Sequence, residues 1–290
     1  MGRIKTWDEL TICDNFLFLK VMQNKRICKR LIEKILGIRI RKISYPVTEK
    51  SIDVRYDSKS VRLDVFVEDD KGTLYDIEMQ TTDGDTTDEL PKRARYYQAM
   101  MDMDVLNKGE FYTKLRKSFV IFICTFDPFA SGQSIYTFCE TCQENPKLKM
   151  GDETMKIFLN SLGNRDGLDS DIAAFLDYVN GQTAKGRFAK NIEKEVQKVK
   201  EHKETRWEYM TLMMEMKKQR SEGRKEGRAE GRAEGRAEGR AEGRTEGEAR
   251  FADLMAALFR DGRTKDAERA ATDIAYRNEL YHEYHMDETD

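Results

Sequence analysis

Three side chains on two neighbouring strand-like segments are of the right type and spacing to do chemistry together. Asp64 sits among Val61, Leu63, Val65 and Val67, and Glu78 and Gln80 sit among Tyr75, Ile77 and Met79. In both segments apolar and polar residues alternate with the period of two that marks a strand with unlike faces. If the two strands form an antiparallel hairpin, burying both apolar faces together requires pairs of equal parity. Pairing Val67 with Tyr75, Val65 with Ile77 and Leu63 with Met79 sets Asp64 across from Glu78. A two-residue slip pairs Asp64 with Asp76 or Gln80 instead, and every such register gathers acids on one face. Opposed residues have Cβ atoms ~5 Å apart, and like charges at that distance repel. Two carboxylates so held invite a cation or a raised pKa on one of them. Carboxylate oxygens suit Mg²⁺, with Mn²⁺ as the alternative; Mg²⁺ keeps several waters and offers them to a phosphate. A metal so bound lowers the pKa of water and stabilises charge on a transferring phosphoryl group. Acidic residues are also common on exposed hairpin faces, so the Asp64–Glu78 spacing alone does not single the pair out.

The elements that must position these groups are legible around them. Phe16, Leu17, Leu19, Met22, Ile27, Leu31, Ile32, Ile35 and Leu36 predict helix over 12–37, with an interruption near Asn24 and a stop at Gly37. Ile52, Val54 and Tyr56 alternate with Asp53 and Arg55, which predicts a strand ahead of the hairpin; turn-like breaks fall at Asp57–Ser60 and Asp69–Gly72. Helical spacing returns over 87–106 through Leu90, Ala94, Tyr97 and Met101. The run Phe119–Cys124 reads as a strand buried on both faces, and Ser134–Cys139 as a further strand. The order helix, three-strand meander, helix, strand is that of an α/β core.

The pattern changes after about residue 165. Ile172, Phe175, Leu176 and Val179 predict a short helix, and a charged, Met-rich helix is expected over 186–220. Residues 222–247 repeat Glu-Gly-Arg-Ala. Over Ser221–Arg250 eight Glu balance eight Lys or Arg, and a period of four sets like charges at i and i+4. Each repeat glycine costs up to ~1 kcal/mol against alanine in a helix. A weak, self-associating helix or a solvated tether both fit. The expected divisions are 1–165 as the catalytic-type core, 166–220 as a helical extension, 221–250 as the repeat and 251–290 as a C-terminal helical segment.

The bulk properties narrow the classes. The 290 residues carry a net charge of −2, so no global positive field announces a nucleic-acid partner, although local patches can serve. Two basic clusters stand out: Arg39, Arg41 and Lys42, and Lys92, Arg93 and Arg95. Five cysteines, an odd number, and an N-terminus without an apolar signal core favour reduced thiols and a cytoplasmic protein. Cys139 and Cys142 form a lone C-x-x-C without the four ligands structural zinc requires. No apolar run reaches the ~20 residues of a membrane span. No P-loop, Rossmann fingerprint, zincin motif or nucleophile elbow is present.

The string RLDVFVEDDKGTLYDIEMQ, after DNFLFLKVM and before PKRARYYQAMM, closely resembles the recombination-promoting nuclease and transposase family of the PD-(D/E)XK nuclease superfamily. The resemblance spans roughly residues 7–165, and it implies a restriction-endonuclease-like core with a helical, low-complexity C-terminal extension. It implies that Asp64 and Glu78 bind Mg²⁺ and that Gln80 stands where the superfamily has the lysine of its E-x-K motif. It further implies that Asp14 supports the metal site and that Arg93 and Tyr97 contact phosphate or brace the site. Glutamine orients a water through its amide but carries no charge, which shifts charge stabilisation to the metal and to Arg93 or Arg95. The expected activity is metal-dependent hydrolysis of DNA phosphodiesters, linked to recombination or mobile elements. The rival expectation is a catalytically inactive nuclease-fold protein that assembles as a homo-oligomer through its C-terminal helix or repeat, coiled-coil fashion.

Overall fold

The computed structural model describes residues 3–45, 47–52, 61–81 and 89–286, the side chain of Val61 apart. The expected first helix is two. α1 (Asn15–Met22) follows Asp14, and α2 (Lys25–Leu36) follows Asn24, whose side chain accepts hydrogen bonds from the Arg26 and Ile27 amides. That cap satisfies donors the helix start would otherwise leave open. Gly37 ends α2 at φ 64°, the left-handed turn that glycine adopts without a Cβ penalty.

Six strands form one sheet: β1 (Val47–Ile52), β2 (Val61–Glu68), β3 (Leu74–Gln80), β4 (Ser118–Cys124), β5 (Ile135–Phe138) and β6 (Thr154–Asn160), ordered β1-β2-β3-β4-β6-β5. β1, β2 and β3 are an antiparallel meander. β3, β4 and β6 run parallel, and β5 returns antiparallel along the edge. β4 is flanked on both sides by parallel neighbours and buried throughout, which is why its sequence is unbroken apolar rather than alternating. The first strand starts earlier than its alternation suggests. Of the expected Ile52–Tyr56 segment only Ile52 belongs to β1, and the rest lies outside the described residues. β6 goes beyond the strands expected from the sequence.

Helices cover both faces of the sheet. Val65, Val67, Tyr75, Ile77, Ile121 and Leu159 pack in one cluster with Leu17 and Phe18 of α1, Leu31 of α2, and Phe175 and Ile192 from α4 (Ser170–Val179) and α5 (Gly186–Glu201). Val120, Phe122 and Phe158 pack on the other side with Leu90, Ala94 and Met101 of α3 (Leu90–Val105).

The chain divides into two compact units, Met1–Met213 and Met214–Asp290. α6 (Lys203–Arg260) carries the whole Glu-Gly-Arg-Ala repeat as helix, and residues 221–249 are exposed along it. A Cβ added at any repeat glycine would meet open space, so packing demands none of them. The second unit has its own small core, in which Leu254 and Leu258 meet Ala267 and Ala270 of α7 (Thr264–Thr272) and Leu280 and Tyr281 of α8 (Ile274–Glu283). No helix among the described residues is long and apolar enough to cross a membrane.

Candidate active site

The hairpin takes the first of the registers the alternation allows: Val67 pairs with Tyr75 and Val65 with Ile77. The regular pairing ends there, one position before Asp64. On the other side of β2, Thr48 pairs with Val65 and Lys50 with Leu63, and Glu49 between them has a positive φ of 58°. Asp64 is therefore a position where both neighbouring ladders are interrupted. A non-glycine residue in the left-handed region costs ~1–2 kcal/mol, and such outliers concentrate at functional sites. The alternation also breaks here, because Leu63 packs in the cluster beneath α3 while Val65 and Val67 pack on the opposite side.

Side chains replace the missing ladder bonds. The Asp64 N–H donates to Glu78 Oε1 at 2.8 Å, and the Met79 N–H donates to Asp64 Oδ2 at 3.4 Å. Each carboxylate thus secures the backbone of the strand bearing the other. Asn15, the first residue of α1, donates from Nδ2 to Asp64 Oδ1 at 3.2 Å. Asp14 turns elsewhere: it accepts from the Thr11 amide at 2.7 Å and pairs with Lys5 at 2.7 Å. The α1 residue that reaches Asp64 is the neighbour of the one the sequence pointed to.

α3 supplies the positive charge. Arg93 donates from Nη1 to Gln80 Oε1 and from Nη2 to Tyr97 Oη, both at 3.0 Å, and its Nη2 lies 3.7 Å from Glu78 Oε2. Its guanidinium also lies over the rings of Tyr97 and Phe122. Spacing of four on a helix puts Arg93 and Tyr97 on one face, and Pro91 in the first turn starts α3 without losing a hydrogen bond. Arg95, the other cation considered, is exposed to solvent.

Sequence reasoning missed Asp76 as a site residue. It is fully buried, and among the described residues neither carboxyl oxygen finds a hydrogen-bond donor. It shares the Glu78 face by simple alternation, so the signal was present in Asp-Ile-Glu-Met-Gln. Burial pushes its carboxyl well above the usual range, and Glu78 and Asp64 push it further. Burial first and Asp64 second raise Glu78 from 4.5 to about 8. Burial also raises Asp64, opposed by the Met79 and Asn15 donors and by Arg93.

Three carboxyl groups, Asp76 and Glu78 buried and Asp64 half-buried, therefore face the Arg93 guanidinium. That surplus of negative charge fits a cation, since desolvated like charges are stable only when neutralised. Among the described residues no three His, Cys, Asp or Glu side chains converge closely enough to hold a metal by themselves. Two carboxylates suffice for Mg²⁺, which completes its shell with water.

A family model for the PD-(D/E)XK nuclease family transposase matches residues 16–163, just over half of the 290. Neither a comparison with curated proteins nor one with solved structures finds a match. The matched span runs from α1 to the loop after β6 and includes the hairpin, α3 and the buried strand β4. On the sheet, the acid pair and the family match together, the chain belongs to the PD-(D/E)XK nuclease family transposases.

Proposed function

We propose that this chain is a metal-dependent endonuclease that hydrolyses DNA phosphodiesters, with Asp64 and Glu78 as the metal ligands and Gln80 orienting the attacking water. The observation that carries this reading is the gathering of three carboxyl groups, buried Asp76 and Glu78 and half-buried Asp64, around Arg93. Bound there, Mg²⁺ or Mn²⁺ would lower the pKa of water and neutralise charge on the phosphoryl oxygens. Gln80 accepts from Arg93 through Oε1, which leaves its Nε2 as the end that donates to a water or to a phosphate oxygen. Arg93 brings to position 80 the positive charge that a lysine there would have carried. Its fork, fixed by Gln80 and Tyr97, holds that charge without reorganisation when the transition state forms. Asn15 holds Asp64 from the α1 side.

The metal reading is tested by calorimetric titration of the full chain with Mn²⁺ at pH 8. Wild type is expected to bind, and Asp64→Asn and Glu78→Gln each to lose binding at least ~10-fold. Equal binding by all three would place the metal elsewhere. The exposed helical repeat favours a further role in self-assembly. Deleting 221–250 is then expected to lower the mass seen by light scattering, and an unchanged mass would remove that role.

A further inference from the structure

On the sheet face opposite the carboxylates, a groove of about 670 Å³ is lined by seven cationic side chains against two acids, Glu33 and Asp171. The cations come from separate stretches of chain: Lys25, Arg26, Lys29 and Arg30 from α2, Arg41 and Lys42 from the segment after it, and Arg187 from α5. Its apolar lining, Ile27 and Phe188 among it, belongs to the core cluster that holds Tyr75 and Ile77, not to the one beneath α3. It shares no residue with the carboxylate site.

The two acids are already engaged. Glu33 meets Lys29 at 3.5 Å, and Asp171 meets Lys34 at 2.8 Å and Arg30 at 3.7 Å. Arg26, Lys42 and Arg187 are exposed and make no ion pair among the described residues. Their placement is also unfavourable without a partner. Lys25 and Arg26 open α2 and Arg187 lies in the first turn of α5, and neither helix has an acid in that turn. A helix N-terminus carries partial positive charge and favours anions, so cations there repel both it and one another. A sequence that breaks this rule at two helices facing one groove leaves it in want of a polyanion. With a net charge of −2 for the whole chain, this concentration is local rather than a consequence of composition.

We propose that this groove binds the phosphodiester backbone of a second stretch of nucleic acid, separate from the stretch presented to Asp64 and Glu78. Cations spread over α2, the following segment and α5 suit successive phosphates along a strand better than one compact anion. Such contacts fix position without reading sequence. The choice of nucleic acid as the polyanion rests on the nuclease reading above. A nuclease that grips one segment and cuts another can hold two parts of a substrate at once.

The experiment measures binding of the full chain to a labelled 30-base-pair duplex in EDTA, by anisotropy, as a function of salt. Wild type is compared with the triple variant Arg26→Gln, Lys42→Gln, Arg187→Gln, and with a control that neutralises Lys108, Lys147 and Lys149 elsewhere. Losing three phosphate contacts is expected to reduce the slope of log K against log salt by ~2.7. That corresponds to a difference of ~40-fold in how affinity falls over a four-fold rise in salt. The control is expected to keep the wild-type slope. Equal slopes for the groove variant and wild type, or an equal loss in the control, would overturn the proposal. So would a wild type that binds inorganic pyrophosphate in the groove but no duplex. Because EDTA prevents cutting, these outcomes stand apart from the catalytic reading, which is tested by metal binding and metal-dependent cleavage.

Discussion

Replacing Glu78 with Gln should stabilise the metal-free protein, although Glu78 is placed at the heart of the site. The side chain is 2% exposed, and burial and the Asp64 carboxylate disfavour its charge against the opposing pull of the Asp64 N–H, Arg93 and a hydrogen bond with Asp76. Its carboxyl rises from 4.5 to about 8. A raised acid binds a proton in the folded state that the unfolded chain has already lost between those values. Its contribution is intact below pH 4.5 and is forfeited as the pH climbs to 8. At ~1.4 kcal/mol per pKa unit, the full loss would be ~5 kcal/mol. Part of that belongs jointly to Asp64 and Asp76, and the variant gives up the attraction to Arg93, so ~2 kcal/mol is the expected gain. The substituted amide keeps an acceptor oxygen for the Asp64 N–H, so the hairpin retains its link. For a unit of about 200 residues this is a rise in Tm of ~4–8 °C at pH 8. Scanning calorimetry in EDTA from pH 5 to 8 is the assay. Wild type should lose stability across that range and the variant much less, whereas saturating Mg²⁺ should restore wild type alone. A variant less stable than wild type at pH 8 in EDTA would refute the reasoning, because Glu78 would then be a structural anchor rather than a charge awaiting a cation.

Asp76→Asn should raise stability in EDTA at pH 8 by ~1–2 kcal/mol, since an amide can donate to Glu78 while carrying no charge that burial and the neighbouring carboxyls disfavour; a fall in urea-unfolding free energy would contradict it. Arg93→Gln should cut DNA ~10²–10³-fold more slowly at saturating substrate while binding Mn²⁺ as well as wild type does. Lost metal binding in that variant would show that Arg93 supports the ligands instead. Gly163→Ala should destabilise by ~1–3 kcal/mol, because its Cβ would sit 2.4 Å from the Gln133 carbonyl oxygen, backbone that cannot swing aside. Unchanged thermal unfolding would mean that the segments before β5 and after β6 move apart to admit it.

Where structure follows from near neighbours, the sequence announces it. The hairpin register follows from alternation alone, and β4 betrays its double burial by an unbroken apolar run. Asn24 marks the break between α1 and α2 because its side chain caps the second helix. What was hidden depends on distant partners. β6 carries Lys156 within Thr-Met-Lys-Ile-Phe-Leu-Asn and becomes a strand by lying beside β4, more than 30 residues earlier. Asn15 reaches Asp64 across 49 residues, so α1 had to be folded against the hairpin before the contact could be seen. Asp76 was visible on the correct face, but its complete burial is a property of the packed interior. The repeat shows the reverse case. Like charges at i and i+4 and glycine at every fourth position argue against helix, yet the segment is helical within α6. Its eight acids and eight bases leave no net charge to extend it.

The central claim is that Asp64 and Glu78 form a metal-dependent cutting centre, and plasmid cleavage tests it most directly. Supercoiled DNA would be incubated with purified full-length wild type, Asp64→Asn and Glu78→Gln, each with Mg²⁺, Mn²⁺ or EDTA. Nicked and linear products are expected from wild type with metal, none in EDTA, and at least ~10²-fold less from either variant. Cutting that survives both substitutions, or a folded wild type that never cuts, would contradict it.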